Sequence, residues 1–196
     1  LRDSISTLAE DQYGKIFLYD LAVTVSEDVE DVEGVKESTI VSSTSIDVVK
    51  DGTKSANLLV PKEPKELESY IDLHTSKYKA IEFPQDNEIV ISHKLAEDLD
   101  IEVGDEITIQ NTDLAGGTVT VSAIMLNYFQ QYAFMNEATY ESVFDEAIDY
   151  NVIFANVEDG EDVHQVSTNY MKDSSVKTVL VTEGLRKNVA DMMKSV

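Results

Sequence analysis

The chain contains no cysteine, which excludes a disulfide framework, a thiolate metal site and a cysteine nucleophile. Tryptophan is absent as well, so the aromatic platform common in sugar clefts would have to come from tyrosine. Basic residues are scarce: 15 Lys plus Arg stand against 38 Asp plus Glu, a formal net charge of −23. Such a surface repels phosphate backbones and anionic headgroups, which argues against nucleic acid as a partner and against peripheral docking on acidic lipid. No apolar run approaches the roughly 18 residues of a membrane span, and no signal-peptide pattern is visible. A chain opening on Leu1 reads as an excised portion of a longer protein.

What is present is enough for a core. With 196 residues, 42% of them hydrophobic, the chain suits one generous domain or two small subdomains sharing a core. Along it, Ile5, Leu8 and Ala9 predict a short amphipathic helix that Gly14 breaks. KIFLYDLAVTVS predicts a long strand. Val29 and Val32, three apart among acids, predict one or two helical turns closed by Gly34. Val35 to Val49 is β-rich, and Lys50-Asp51-Gly52-Thr53 predicts a type I′ hairpin turn into KSANLLV.

After the irregular stretch that follows Pro61, EIVIS predicts a strand. The next helix is capped by Ser92 and buries Leu95, Ala96 and Leu99. Two further strands flank a turn at DLAGG. Asn136 caps a helix that buries Tyr140, Val143 and Phe144. A strand YNVIFANV, a helix with Val163, Val166 and Tyr170 on one face, a strand KTVLV and a last helix with Leu185, Val189, Met192 and Val196 complete the pattern. The element order predicts an α+β fold, a split βαβ sandwich formed by residues 1–60 and 136–196 with a β-rich insertion at 61–135.

Catalytic signatures are missing. His74, His93 and His164 are isolated and predict surface histidines rather than metal ligands. In the acidic run Glu27, Asp28, Glu30, Asp31 and Glu33, the valines at 29 and 32 break the register of a calcium loop, and the run reads as a solvated face. No nucleophile elbow occurs, and Gly116-Gly117 lacks the Lys and Ser or Thr of a phosphate loop. The residues point to a non-enzyme with no cofactor or metal. One segment stands out, LNYFQQYAF, where Tyr128, Phe129, Tyr132 and Phe134 are interaction candidates; as an extended strand it must turn some rings outward or into a second layer.

The run ISHKLAEDLDIEVGDEITIQ followed by GGTVTVSAIMLNYFQQYAFMNEATYESVF resembles the extracytoplasmic domain of FtsX-like (MacB-type) ABC transporter permeases. There a K-L-A helix, a V-G-D turn, a hairpin and an N-Y strand before a helix succeed one another in this order. DSISTLAEDQYGKIFLYDLAV and LRKNVADMMKSV resemble the segments next to membrane helices in large Gram-positive members. The chain departs from those members at Gln131, where His is common, and at Leu126, where an acid is common.

The resemblance implies a porter-like α/β part with an inserted sabre-like β part, on the extracellular face of the membrane in a multi-span protein. It implies ATP hydrolysis by a separate cytoplasmic ATP-binding subunit, and the partners to consider are that subunit, a second permease copy, and a peptide or lipid substrate. Leu185, Val189 and Met192 become candidates for a coupling helix. The alternative function is an acidic cell-surface module that binds a peptide, lipid or protein through Tyr128 to Phe134.

Overall fold

A computed structural model describes residues 7–8, 11–183 and 191–192. These form nine strands, β1 (Leu21–Val25), β2 (Val35–Val49), β3 (Thr53–Pro61), β4 (Glu88–Ser92), β5 (Glu106–Gln110), β6 (Gly116–Met125), β7 (Tyr132–Phe134), β8 (Val152–Val157) and β9 (Val176–Val181). Three α-helices lie wholly within the described residues, α1 (His93–Leu99), α2 (Glu137–Phe144) and α3 (Val163–Met171). The α+β class expected from the sequence is what is found. The chain divides into two compact units, one of residues 1–41, 65–72 and 150–196, the other of residues 42–64 and 73–149.

The first unit is an open antiparallel sheet. The early part of β2 pairs with β8, β8 with β1, and β1 with β9. Alternation along β1 sends Leu21, Val23 and Val25 to one face, where Val166 and Tyr170 of α3 join them in a buried cluster. Asp162 caps α3 by accepting the His164 N–H. Gly34 lies against this helix with φ 91°, and a Cβ there would sit 2.6 Å from Val166 Cγ2, so only glycine lets the chain pass.

The second unit is a closed barrel. Its strands run β3-β7-β4-β6-β5-β2, and β3 also pairs with β2, so each has two neighbours and no edge remains. Ile46, Leu58, Ile91, Ile109, Val121 and Met135 are among the aliphatic side chains of its interior. Tyr140 and Phe144 of α2 belong to the same cluster. At the β5–β6 turn Asn111 accepts the N–H groups of Asp113 and Ala115 at 3.0 Å each, and Leu114 takes φ 63°. Gly116 follows because a Cβ would meet Ile109 O at 1.8 Å.

The compact units divide at Val41/Ser42, Pro64/Lys65, Asp72/Leu73 and Asp149/Tyr150, where the sequence pattern places divisions at 60/61 and 135/136. Several local expectations are corrected. The distal part of β2 is committed to the barrel by its pairing with β5, and α2 by its packing on β6. Residues 27–34 form no helix; Val29 and Val32 instead pack against the open-sheet core, an anchoring that an isolated acidic turn could not supply by propensity alone. The strand expected from Lys15 begins only at Leu21, because a π-helical turn continues through Gly14 to Ile16 and Phe17 makes a single bridge with Ile71. The hairpin turn uses φ 54° at Asp51 but no positive φ at Gly52, so it is not type I′. Ser92 does not cap α1 with its hydroxyl.

Candidate functional site

In the barrel unit, the aromatic segment emerges from β6 and returns as β7. Buried Asn127 organises it: its side-chain amide donates to Phe129 O at 2.7 Å and to Gln130 O at 2.8 Å. Its own N–H donates to His93 Nδ1 at 3.2 Å. Ser92 Oγ donates to Tyr132 O and accepts the Tyr132 N–H, at 3.0 and 2.7 Å. That is where the expected cap hydroxyl has gone. Gln130 takes φ 61° and its side-chain oxygen accepts the Tyr132 hydroxyl at 3.0 Å. A loop with its backbone groups paired in this way is held in one conformation.

The four aromatic candidates separate. Tyr128, Phe129 and Tyr132 are half-buried, whereas Phe134 is completely buried. The cause is strand alternation: Ala133 and Met135 take the barrel face, and Phe134 lies on the other side with Tyr132, their rings 6.5 Å apart. Residues 114–136 contain no Asp, Glu, Lys, Arg or His, so the loop is a neutral island on an acidic chain. His74 is also a correction. It is buried, not a surface residue, and its ring stacks on Tyr78 at 5.4 Å.

In the open-sheet unit, polar groups converge where β1 begins and β9 ends. The Asp20 N–H donates to Ala155 O and to Asn156 Oδ1, and Asp20 Oδ2 accepts the Val157 N–H at 2.9 Å. Asp20 O accepts the Thr182 N–H at 3.0 Å, and the buried Thr182 hydroxyl donates to Tyr19 O. Asn156 Nδ2 continues to Glu37 Oε1 and Ser69 O. Tyr19 stacks on Phe154 with centroids 4.4 Å apart. Sequence reasoning missed Asp20, Asn156 and Thr182. The available signal was a lone carboxylate in the apolar run IFLYDLAV, which must find donors if it is covered.

Of the coupling candidates, Met192 is 68% exposed, and Leu185 and Val189 lie outside the described residues. The acidic run lines an open hollow of about 360 Å³ in which Glu30, Asp31 and Glu33 meet Asn169, Lys172 and Asp173. Among the described residues no three His, Asp or Glu side chains converge as metal ligands do. Nearby, burial and then the Asp28 carboxylate push the Tyr170 hydroxyl up to about 12. Burial likewise raises Tyr140, whose hydroxyl donates to Glu146 at 2.6 Å. Nothing in either arrangement brings a nucleophile and a base together.

Residues 5–169 match the MacB-like periplasmic core domain family. No protein of curated function is significantly similar in sequence to the chain. Among solved structures, the periplasmic region of MacB from Actinobacillus actinomycetemcomitans is similar over 92% of this chain and 97% of its own, at 9% identity and a TM-score of 0.51. The extracellular domain of the noncanonic ABC-type transporter YknZ from Gram-positive bacteria matches over 78% of this chain and 83% of its own, at 12% identity and a TM-score of 0.49. The first likeness is one of fold.

Proposed function

The chain belongs to the MacB-like periplasmic core domain family, and from that premise we propose that it is the non-catalytic extracytoplasmic domain of an ABC transporter permease. In this reading it sits on the outer face of the membrane and couples ATP hydrolysis by a separate cytoplasmic subunit to export or to mechanical work outside. The observation that carries the coupling role is the knot of Tyr19, Asp20 and Thr182, where the chain enters β1 and leaves β9. Displacement of either chain end is delivered there to one pair of neighbouring strands, as a small shift passed through a packed element. Replacing Leu185, Val189 and Met192 with serine in the full permease should abolish transport while its ATP-hydrolysing partner keeps its activity. Transport at the original rate by a folded, membrane-inserted variant would overturn the reading.

A second reading, a surface module for a peptide, lipid or protein, is favoured by the Asn127-centred loop. Its partly exposed Tyr128, Phe129 and Tyr132 are fixed in advance, which lowers the ordering cost of binding. Under this reading Phe129→Ala raises the KM for transport without changing stability. Under the first alone, KM stays where it was.

A further inference from the structure

Two consecutive residues of different chemistry fasten the two ends of the aromatic loop between β6 and β7. At the β7 end the Ser92 hydroxyl donates to Tyr132 O and accepts the Tyr132 N–H. At the β6 end the Asn127 N–H donates to His93 Nδ1 at 3.2 Å. A serine hydroxyl keeps both roles at any physiological pH, whereas histidine ordinarily changes charge between about pH 5 and 8.

The bond at His93 exists in one charge state only. A ring nitrogen that accepts a hydrogen bond carries a lone pair, so the ring is neutral with its proton on Nε2. When a proton from solvent adds to Nδ1, both ring nitrogens become donors, and the new N–H faces the N–H of Asn127. Asn127 is 1% exposed, so water reaches a backbone group deprived of that acceptor only if the chain moves. His93 itself is half-buried and open to solvent protons.

Other charges lie around the ring. The helix α1 that His93 opens also carries Lys94 and Asp98, ion-paired at 3.1 Å, and Glu97. It packs chiefly on β3, β4 and β6; β3 carries Lys54, β4 carries Glu88, and β6 has no charged residue. On the loop Tyr128 and Tyr132 are titratable, and His74 O accepts the Leu126 N–H at 2.9 Å, which brings a second imidazole into the neighbourhood. These groups set where on the pH axis the change falls. Its direction follows from the bond alone.

We propose that His93 is a proton-operated latch on the aromatic loop. Neutral, it holds the β6 end; protonated, it releases that end, and the loop swings about the Ser92–Tyr132 clasp, uncovering more of Tyr128 and Phe129. The latch is a property of the barrel unit and rests on neither functional reading.

Amide hydrogen exchange of the whole chain, corrected for the intrinsic rate at each pH, reads the two ends separately. Between about pH 8 and pH 5 the protection of the Asn127 amide should fall about tenfold or more, while that of Tyr132 stays. The His93 imidazole, followed by NMR, should titrate with the same midpoint, a comparison that needs no variant. His93→Asn sets a carboxamide oxygen near the Nδ1 position and should hold Asn127 at both pH values. His93→Phe, with no acceptor, should leave it weakly protected at both. Protection that stays constant across the titration, that follows His74 in place of His93, or that falls equally at Tyr132 overturns the proposal.

Discussion

The two units solve the same problem differently. In the barrel every strand has two partners, the interior is aliphatic and the neutral aromatic loop is pinned by Asn127 and Ser92. In the open sheet β9 has one strand neighbour among the described residues, and its junction is held by polar groups around Asp20, Asn156 and Thr182. Apolar packing loses stability in proportion to the volume removed, whereas a hydrogen-bonded junction depends on every partner being in place. The barrel therefore holds its surface by packing, and the open sheet holds its junction by a hydrogen-bonded network.

The largest expected effect tests the barrel. Leu58→Ala empties a fully buried position and should cost about 2–5 kcal/mol in urea unfolding. A smaller loss would mean that the ring of strands collapses around the gap. Next comes the junction: Asp20→Ala leaves the Val157 N–H without its acceptor and should cost about 1–3 kcal/mol. Combined with Asn156→Ala it should cost less than the sum of the two, since both changes dismantle one network. Strict additivity would show that Asp20 and Asn156 act independently and that the junction is not a unit.

A smaller effect is expected at the α2 cap. Asn136→Ala removes the acceptor of the Thr139 N–H and should cost about 1 kcal/mol, read in the same unfolding experiment. The last test leaves neutral pH untouched. Tyr170 is raised from its ordinary 10 to about 12 in the folded chain, so the stabilisation from keeping it protonated is fully present below pH 10. It is lost as pH climbs towards 12. Tyr170→Phe should flatten that part of the alkaline unfolding curve; an unchanged curve would assign the loss to Tyr70 and Tyr140, whose hydroxyls are also raised.

Much of the fold was legible because the local signals agreed with the tertiary outcome. Strict alternation in EITIQ and TVTV, the Asp-Gly turn after Val49 and the cap at Asn136 all appear where their residues place them. The failures share a cause. The burial of Phe134 and the diversion of Ser92 depend on pairing with strands far away in the chain, which no local pattern records. The polar junction was illegible for the same reason: Asp20 and Val157 lie 137 residues apart. Its one trace was a carboxylate in an otherwise apolar run.

That separation also governs when the molecule can assemble. The strand β2 gives its first part to β8 and its second to β5, so a single stretch of backbone waits for two partners made at different times. On the ribosome the barrel has all its strands once Phe134 has emerged, whereas the open sheet lacks its last until Val181 is made. Until Val157 is made, Val35 to Val41 stand ready with no neighbour from β8. Such non-local pairing slows folding and leaves a β-prone segment exposed in the nascent chain. The Lys36, Glu37 and Ser38 positions, all exposed in the finished protein, place charge and polarity on the segment that must wait.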